Sequence, residues 1–143
     1  NIIPEKVKLF GTVRTFSKDT KNLIEQRLHS LLKGITDAHN GSYTLNYRRG
    51  YPAVINTEKE ALSVLSTTKE LFGENAAIDL ERPSMAGEDF AFYQEHFPGA
   101  FFFVGSGSEE SDSTYVWHHP KYNVDDRFFL TAAPLMAALV FED

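Results

Sequence analysis

The stretch Val7-Lys-Leu-Phe-Gly-Thr-Val-Arg-Thr-Phe16 divides its side chains into two alternating sets. Val7, Leu9, Gly11, Val13 and Thr15 fall on one side, and Lys8, Phe10, Thr12, Arg14 and Phe16 on the other. That period of two marks a strand, and it puts Arg14 on the face opposite Val7, Leu9 and Val13. Ser17 follows as the N-cap of a helix whose stripe is Leu23, Ile24, Leu28, Leu31, Leu32 and Ile35. Asn40-Gly41, two residues that tolerate a positive φ, close it. Tyr43, Leu45 and Tyr47 then alternate with Thr44, Asn46 and Arg48 as a second strand, ending near Gly50 and Pro52. Strand, helix and strand within residues 1–56 predict half of a small α+β sandwich, a set of elements that buries little alone.

A second start comes at Thr57-Glu-Lys-Glu60, which has the spacing of a capping box. The helix it opens carries Ala61, Leu62, Val64, Leu65, Thr68, Leu71 and Phe72 on its apolar face and stops at Gly73. A short strand at 77–80 and a loop lead to Met85-Ala-Gly-Glu-Asp-Phe90 and a short helix reaching Phe97. Ala100-Phe-Phe-Phe-Val-Gly105 is a continuous apolar run, the pattern of a strand covered on both faces. After the polar loop 106–113, whose acids read as solvated, a final helix is expected over about 126–141.

With 143 residues, the chain has the length of one ordinary domain. Its 42% hydrophobic and 24% charged residues exclude wholesale disorder. The net charge of −6 argues against a nucleic-acid partner, which needs a basic face. No apolar span of membrane length occurs, so no membrane partner is expected and the chain reads as soluble and cytoplasmic. Cysteine is absent, which removes disulfides, thiolate ligands and a Cys nucleophile. Gly-x-Ser-x-Gly and phosphate-loop patterns are also absent. The opening Asn1-Ile-Ile-Pro4, without an initiator Met, reads as the middle of a longer protein.

Three places carry candidate chemistry. His118-His119-Pro120 offers imidazoles with Asp89, Asp125 and Asp126 as acidic partners, and a ligating imidazole needs such a partner to fix its ring. By itself the pair is more simply a set of loop histidines, and His29, His39 and His96 lack the spacing of companion ligands. Gly87 allows a close backbone approach, and Glu88 and Asp89 suit a positive helix start with or without a ligand. Arg14 could clamp a carboxylate with two parallel hydrogen bonds, or simply be solvated.

The segments Asn1-Ile-Ile-Pro4, Gly11-Thr-Val-Arg-Thr15, Tyr47-Arg-Arg-Gly-Tyr-Pro52 with Asn56, Met85–Phe90, Pro98-Gly-Ala-Phe-Phe-Phe103 and Trp117-His-His-Pro120 occur in that order. Together they resemble the C-terminal portion of zinc-dependent amidohydrolases of the aminoacylase, hippurate hydrolase and auxin-conjugate hydrolase type. The resemblance runs essentially end to end.

It implies an α/β fold of two pieces. Residues 1–56 would be the second half of a ferredoxin-like βαββαβ lid through which two copies dimerise, and 57–143 the C-terminal part of the catalytic domain. It implies hydrolysis of N-acyl amino acids or small peptides with two divalent metal ions, zinc or else manganese, cobalt or nickel. His118, two residues before the proline, matches the family's last metal ligand. Asn1, Arg14, Gly87, Glu88 and Asp89 match positions that line the substrate cleft. The general base and the remaining ligands match nothing here, so no catalytic residue is assigned, and this portion alone should be inactive and retain no metal. Trp117 departs from the Leu more common before that histidine.

Two other readings compete. A non-catalytic interaction module would offer a free sheet edge for strand addition. A single-metal hydrolase would be assembled from His118, His119 and nearby acids, with ligand spacing that suits it poorly.

Overall fold

The computed structural model describes residues 1–141 and contains four α-helices: α1 Lys18–Ala38, α2 Glu58–Phe72, α3 Phe90–Gln94 and α4 Phe129–Val140. A 3-10 turn, Asp126–Phe128, leads into α4. Among the described residues there is no strand, which overturns the α/β expectation and its βαββαβ half. The reason lies in what alternation specifies. It sets an extended backbone with two unlike faces, but a strand also needs a neighbour to take its N–H and C=O groups. Residues 7–13 have no such neighbour, and Leu9 is 86% and Phe10 92% exposed. Residues 77–80 are irregular too, with Ile78 and Leu80 exposed. The run 100–105, expected to be covered on both faces, leaves Phe103 about half exposed.

The chain divides into two compact units, residues 1–54 with 83–92, and residues 55–82 with 93–143. In the first, α1 begins as its cap predicts, with Ser17 Oγ accepting the Thr20 N–H at 3.3 Å. It closes where Asn40 takes a positive φ of 54° and the Gly41 N–H donates to Thr36 O at 2.8 Å. Segment 43–51, the expected second strand, runs antiparallel along α1, tied by side chains. Tyr43 Oη lies 3.2 Å from His29 Nδ1, and Arg49 donates to Glu25 and, at 2.8 Å, to Asn22 Oδ1. Lys21 Nζ donates to the carbonyls of Gly50 and Tyr51. With no sheet beneath it, the α1 stripe is only half covered: Ile24, Leu28 and Leu32 are partly buried, while Leu23, Leu31 and Ile35 are exposed.

In the second unit α2 packs against α4, and Leu135 of α4 is 3% exposed. Gly73, at φ 94°, ends α2 as expected. Thr57 caps α2 differently from the box its sequence spells. Its hydroxyl accepts the Gly99 N–H at 2.9 Å and lies 3.2 Å from Gly99 O. The Thr57 side chain, then the Glu60 backbone amide, hold the Glu60 carboxyl below the ordinary range. Asn56 brackets Phe101, accepting its N–H at Oδ1 (2.8 Å) and donating Nδ2–H to its carbonyl (2.9 Å). Gln94 joins the same knot, accepting the Ile55 N–H and donating to Gly99 O. The short helix α3 stops at Gln94, before the expected Phe97, in a turn where Tyr93 O accepts the N–H groups of His96 and Phe97. No helix of the described residues is long and apolar enough to cross a membrane.

Candidate functional site

The first unit gathers four of the sequence-predicted positions. Arg14 donates from Nη1 to Met85 O at 3.0 Å, which holds residues 85–89 beside the guanidinium. Gly87 sits against Tyr51: a Cβ at Gly87 would lie 3.2 Å from Tyr51 Cδ2 and 3.9 Å from Arg14 Nη1. The bare backbone is therefore what lets the loop approach the ring and the cation together. Tyr51 in turn meets Phe92 edge to face, with centroids 5.6 Å apart. Glu88 and Asp89 start α3, their carbonyls accepting the N–H groups of Ala91 and Phe92. This corner offers an arginine with donors to spare and an aromatic wall, which suits a carboxylate attached to an apolar group. Asn1 is exposed and makes no hydrogen bond to any described residue. Tyr51 escaped the sequence reading as a site residue because only the folded loop puts Gly87 under its ring.

In the second unit the two histidines part company. His119 is consumed by its own loop. Its ring stacks on Tyr115 with centroids 4.4 Å apart and planes 11° apart, and Nδ1 accepts the Lys121 N–H at 3.1 Å. Lys121 Nζ also lies 5.6 Å from the Tyr115 ring centre. Trp117, on the other side, packs on Phe103 at 5.5 Å. His118 between them has a φ of 67°, a left-handed backbone that a branched or bulky residue rarely adopts. The His118 imidazole is exposed and makes no hydrogen bond to any described residue. Residues held in this region persist only where their surroundings enforce them.

Asp125 is buried and neighbours this loop. Its carboxylate accepts from the Arg127 guanidinium, from the Arg127 N–H at 2.9 Å and from Ser111 Oγ at 2.9 Å. Arg127 reaches on to Glu110 at 2.9 Å, an ion pair to a carboxylate that is 80% exposed and so solvated, as expected from its loop. The Arg127 side chain, then its amide, and also the Ser111 hydroxyl hold the Asp125 carboxyl far below its ordinary value of 3.8, and the guanidinium is held correspondingly higher. A depressed folded-state pKa contributes stability above 3.8, lost as pH falls below that value toward the folded one. The wild-type chain is therefore expected to lose more thermal stability between about pH 5 and about pH 2 than the Asp125→Asn variant. Melting curves followed by circular dichroism check this, and parallel losses would count against it.

These side chains do not by themselves compose a metal centre. Among the described residues no group of three or more His, Asp or Glu side chains converges, and His119 Nδ1 is already occupied. The single-metal assembly from His118, His119 and nearby acids is thereby removed. What remains is one unencumbered imidazole, the chemistry of a single ligand.

Comparison with known proteins follows the same lines. The profile of Peptidase family M20/M25/M40 matches residues 4–142. YhaA of Bacillus subtilis, which bears an amidohydrolase name, is 39% identical over 137 residues, covering 96% of this chain and 34% of YhaA. The N-acetyl-L-cysteine deacetylase of the same organism is 35% identical over 133 residues, or 93% of this chain and 30% of the deacetylase. The hippurate hydrolase of Campylobacter jejuni is 29% identical over 142 residues, or 99% of this chain and 36% of the hydrolase. The chain spans about a third of the length of the curated relatives it matches. No solved structure matches it.

Proposed function

This chain belongs to Peptidase family M20/M25/M40, and from that premise we propose that it works as part of a longer metal-dependent amide hydrolase acting on N-acyl amino acids. The family is one of generally metal-dependent hydrolases, and relatives named for deacetylation and hippurate hydrolysis support an amide bond as the target. The observation that carries the reading is the division of labour at residues 118 and 119. One imidazole is locked into its loop, while the other, at a left-handed backbone position, is exposed and bonded to no described residue. His118 then serves as one ligand of a pair of divalent ions, zinc or else manganese, cobalt or nickel. The other ligands and the general base come from polypeptide outside this chain. Residues 57–143 supply that nitrogen. Asn1 and Arg14 with the Gly87-Glu88-Asp89 loop form the substrate-binding part, and residues 1–56 make the contact between two copies.

Within this scheme Arg14 holds the substrate carboxylate by charge-assisted hydrogen bonds, Gly87 leaves room beside it, and Asn1 contributes an amide to the same group. The interaction-module alternative needs a free sheet edge, and the described residues contain no sheet.

The test is a set of N-acyl amino acids and their C-terminal amides, assayed with the longer polypeptide. The free acids are expected to be preferred about tenfold or more in kcat/KM, and Arg14→Ala should erase that preference. Absence of hydrolysis, or equal rates for acid and amide, would sink the reading.

A further inference from the structure

The loop that carries His118 stands on two feet, and both come down on the same short segment. At the first foot, Ser113 donates its N–H to Ser108 O at 3.0 Å, and its hydroxyl accepts the Ser108 N–H at 2.8 Å and lies 3.4 Å from Ser106 O. At the second, the Asp125 N–H donates to that same Ser106 carbonyl at 2.9 Å. Ser111 Oγ bridges them, donating to Asp125 Oδ2 at 2.9 Å and lying 2.8 Å from Ser113 Oγ. Ser113 and Asp125 are 3% and 8% exposed, so the joint is shielded from competing water. Arg127 fills the remaining acceptor sites of the carboxylate. Eleven residues, 114–124, are thus closed into a loop whose ends are fastened by one carboxylate and two serines.

Closure matters because, beyond the Tyr115–His119 stack and the Trp117–Phe103 contact, the exposed turn at His118 has little to hold it. Inside the loop the backbone bonds are few: the His119 N–H donates to Val116 O at 3.2 Å and the Tyr122 N–H to His119 O at 2.9 Å. A left-handed backbone at a histidine relaxes once the ends that enforce it drift apart. We propose that Asp125 is a positioning residue for His118: by joining the two feet it fixes the turn that presents the imidazole. The proposal rests on the reading above, in which His118 is the functional nitrogen.

The test uses nuclear magnetic resonance on the chain and on Asp125→Ala, Asp125→Asn and Ser111→Ala. Asp125→Ala is expected to speed exchange of the His119 and Tyr122 amides by about tenfold or more while α2 amides keep theirs. The His118 Cα and Cβ shifts should leave their left-handed values. Asp125→Asn keeps an acceptor for the Arg127 N–H and should restore part of both signals. A residue that merely stabilised the unit would move α2 and the loop together, which would overturn the proposal. Where Asp125→Ala unfolds the unit, Ser111→Ala deletes only the bridging hydroxyl and reads the same two signals, and unmoved His118 shifts there also overturn it. Loss of activity in His118→Ala concerns the hydrolase reading alone, so either idea can fail without the other.

Discussion

In the longer polypeptide, His118→Ala is expected to lower turnover of an N-acyl amino acid on the order of a thousandfold, and His119→Ala by about tenfold at most. The asymmetry follows from geometry rather than from residue type, since the two imidazoles are adjacent. His119 has spent Nδ1 on the Lys121 N–H and its ring face on Tyr115, so its removal loosens a loop. His118 has spent neither nitrogen on a described residue, so its removal deletes a donor that nothing else in the loop replaces. His118→Gly should be as inactive as His118→Ala yet more stable than it, because glycine adopts the left-handed turn without penalty. Steady-state rates and thermal melts on the variants decide the matter. Equal losses at the two histidines would refute the assignment.

Leu135→Ala should destabilise the second unit by about 2–5 kcal/mol, the cost of lost burial plus the cavity left behind. Leu135 is 3% exposed, whereas Met136, next along α4, is 55% exposed and should tolerate Ala within about 0.5 kcal/mol. Among the described residues the only other buried hydrophobic side chain is Ala91, in the first unit. A loss of this size is then large against the roughly 5–15 kcal/mol of an ordinary domain. Urea titration followed by Trp117 fluorescence should show a marked fall in midpoint for Leu135→Ala and almost none for Met136→Ala. Similar midpoints would mean that α4 does not organise the unit.

The helices were legible because their signals are local. Ser17, Asn40-Gly41, Thr57 and Gly73 act within a turn of where they stand, and all four mark real helix ends. The strands were misread because pairing is not local. Val7–Phe16 has the right alternation, but no residue within it can state whether a neighbour will come. The aromatic run erred in the same way, its continuous apolarity suggesting cover on both faces that the fold does not provide. At the candidate site, the pattern of Trp117-His-His-Pro120 drew attention to its loop. What it could not convey was the left-handed turn at His118, the stacking of His119, or the joint between Ser111 and Asp125, which unites residues 14 positions apart. Likewise Tyr51 and Gly87, 36 positions apart, declare their contact only in the folded loop.

The bracket that Asn56 places on Phe101 has one more implication. A strand passes hydrogen bonding along its length, because each partner residue brings the next, but a side-chain amide ends at its own tip, and the further contact of Asn56 Oδ1 goes to Gln94 Nε2 rather than to a following residue of the run. It works as a chain terminator does in polymerisation: the pairing that Thr57 makes with Gly99 reaches residue 101 and propagates no further. No hydrogen bond to another described residue is made by the amide groups of residues 102–105. Their protons should exchange with solvent quickly while that of Phe101 lingers, a step in the exchange profile one residue wide.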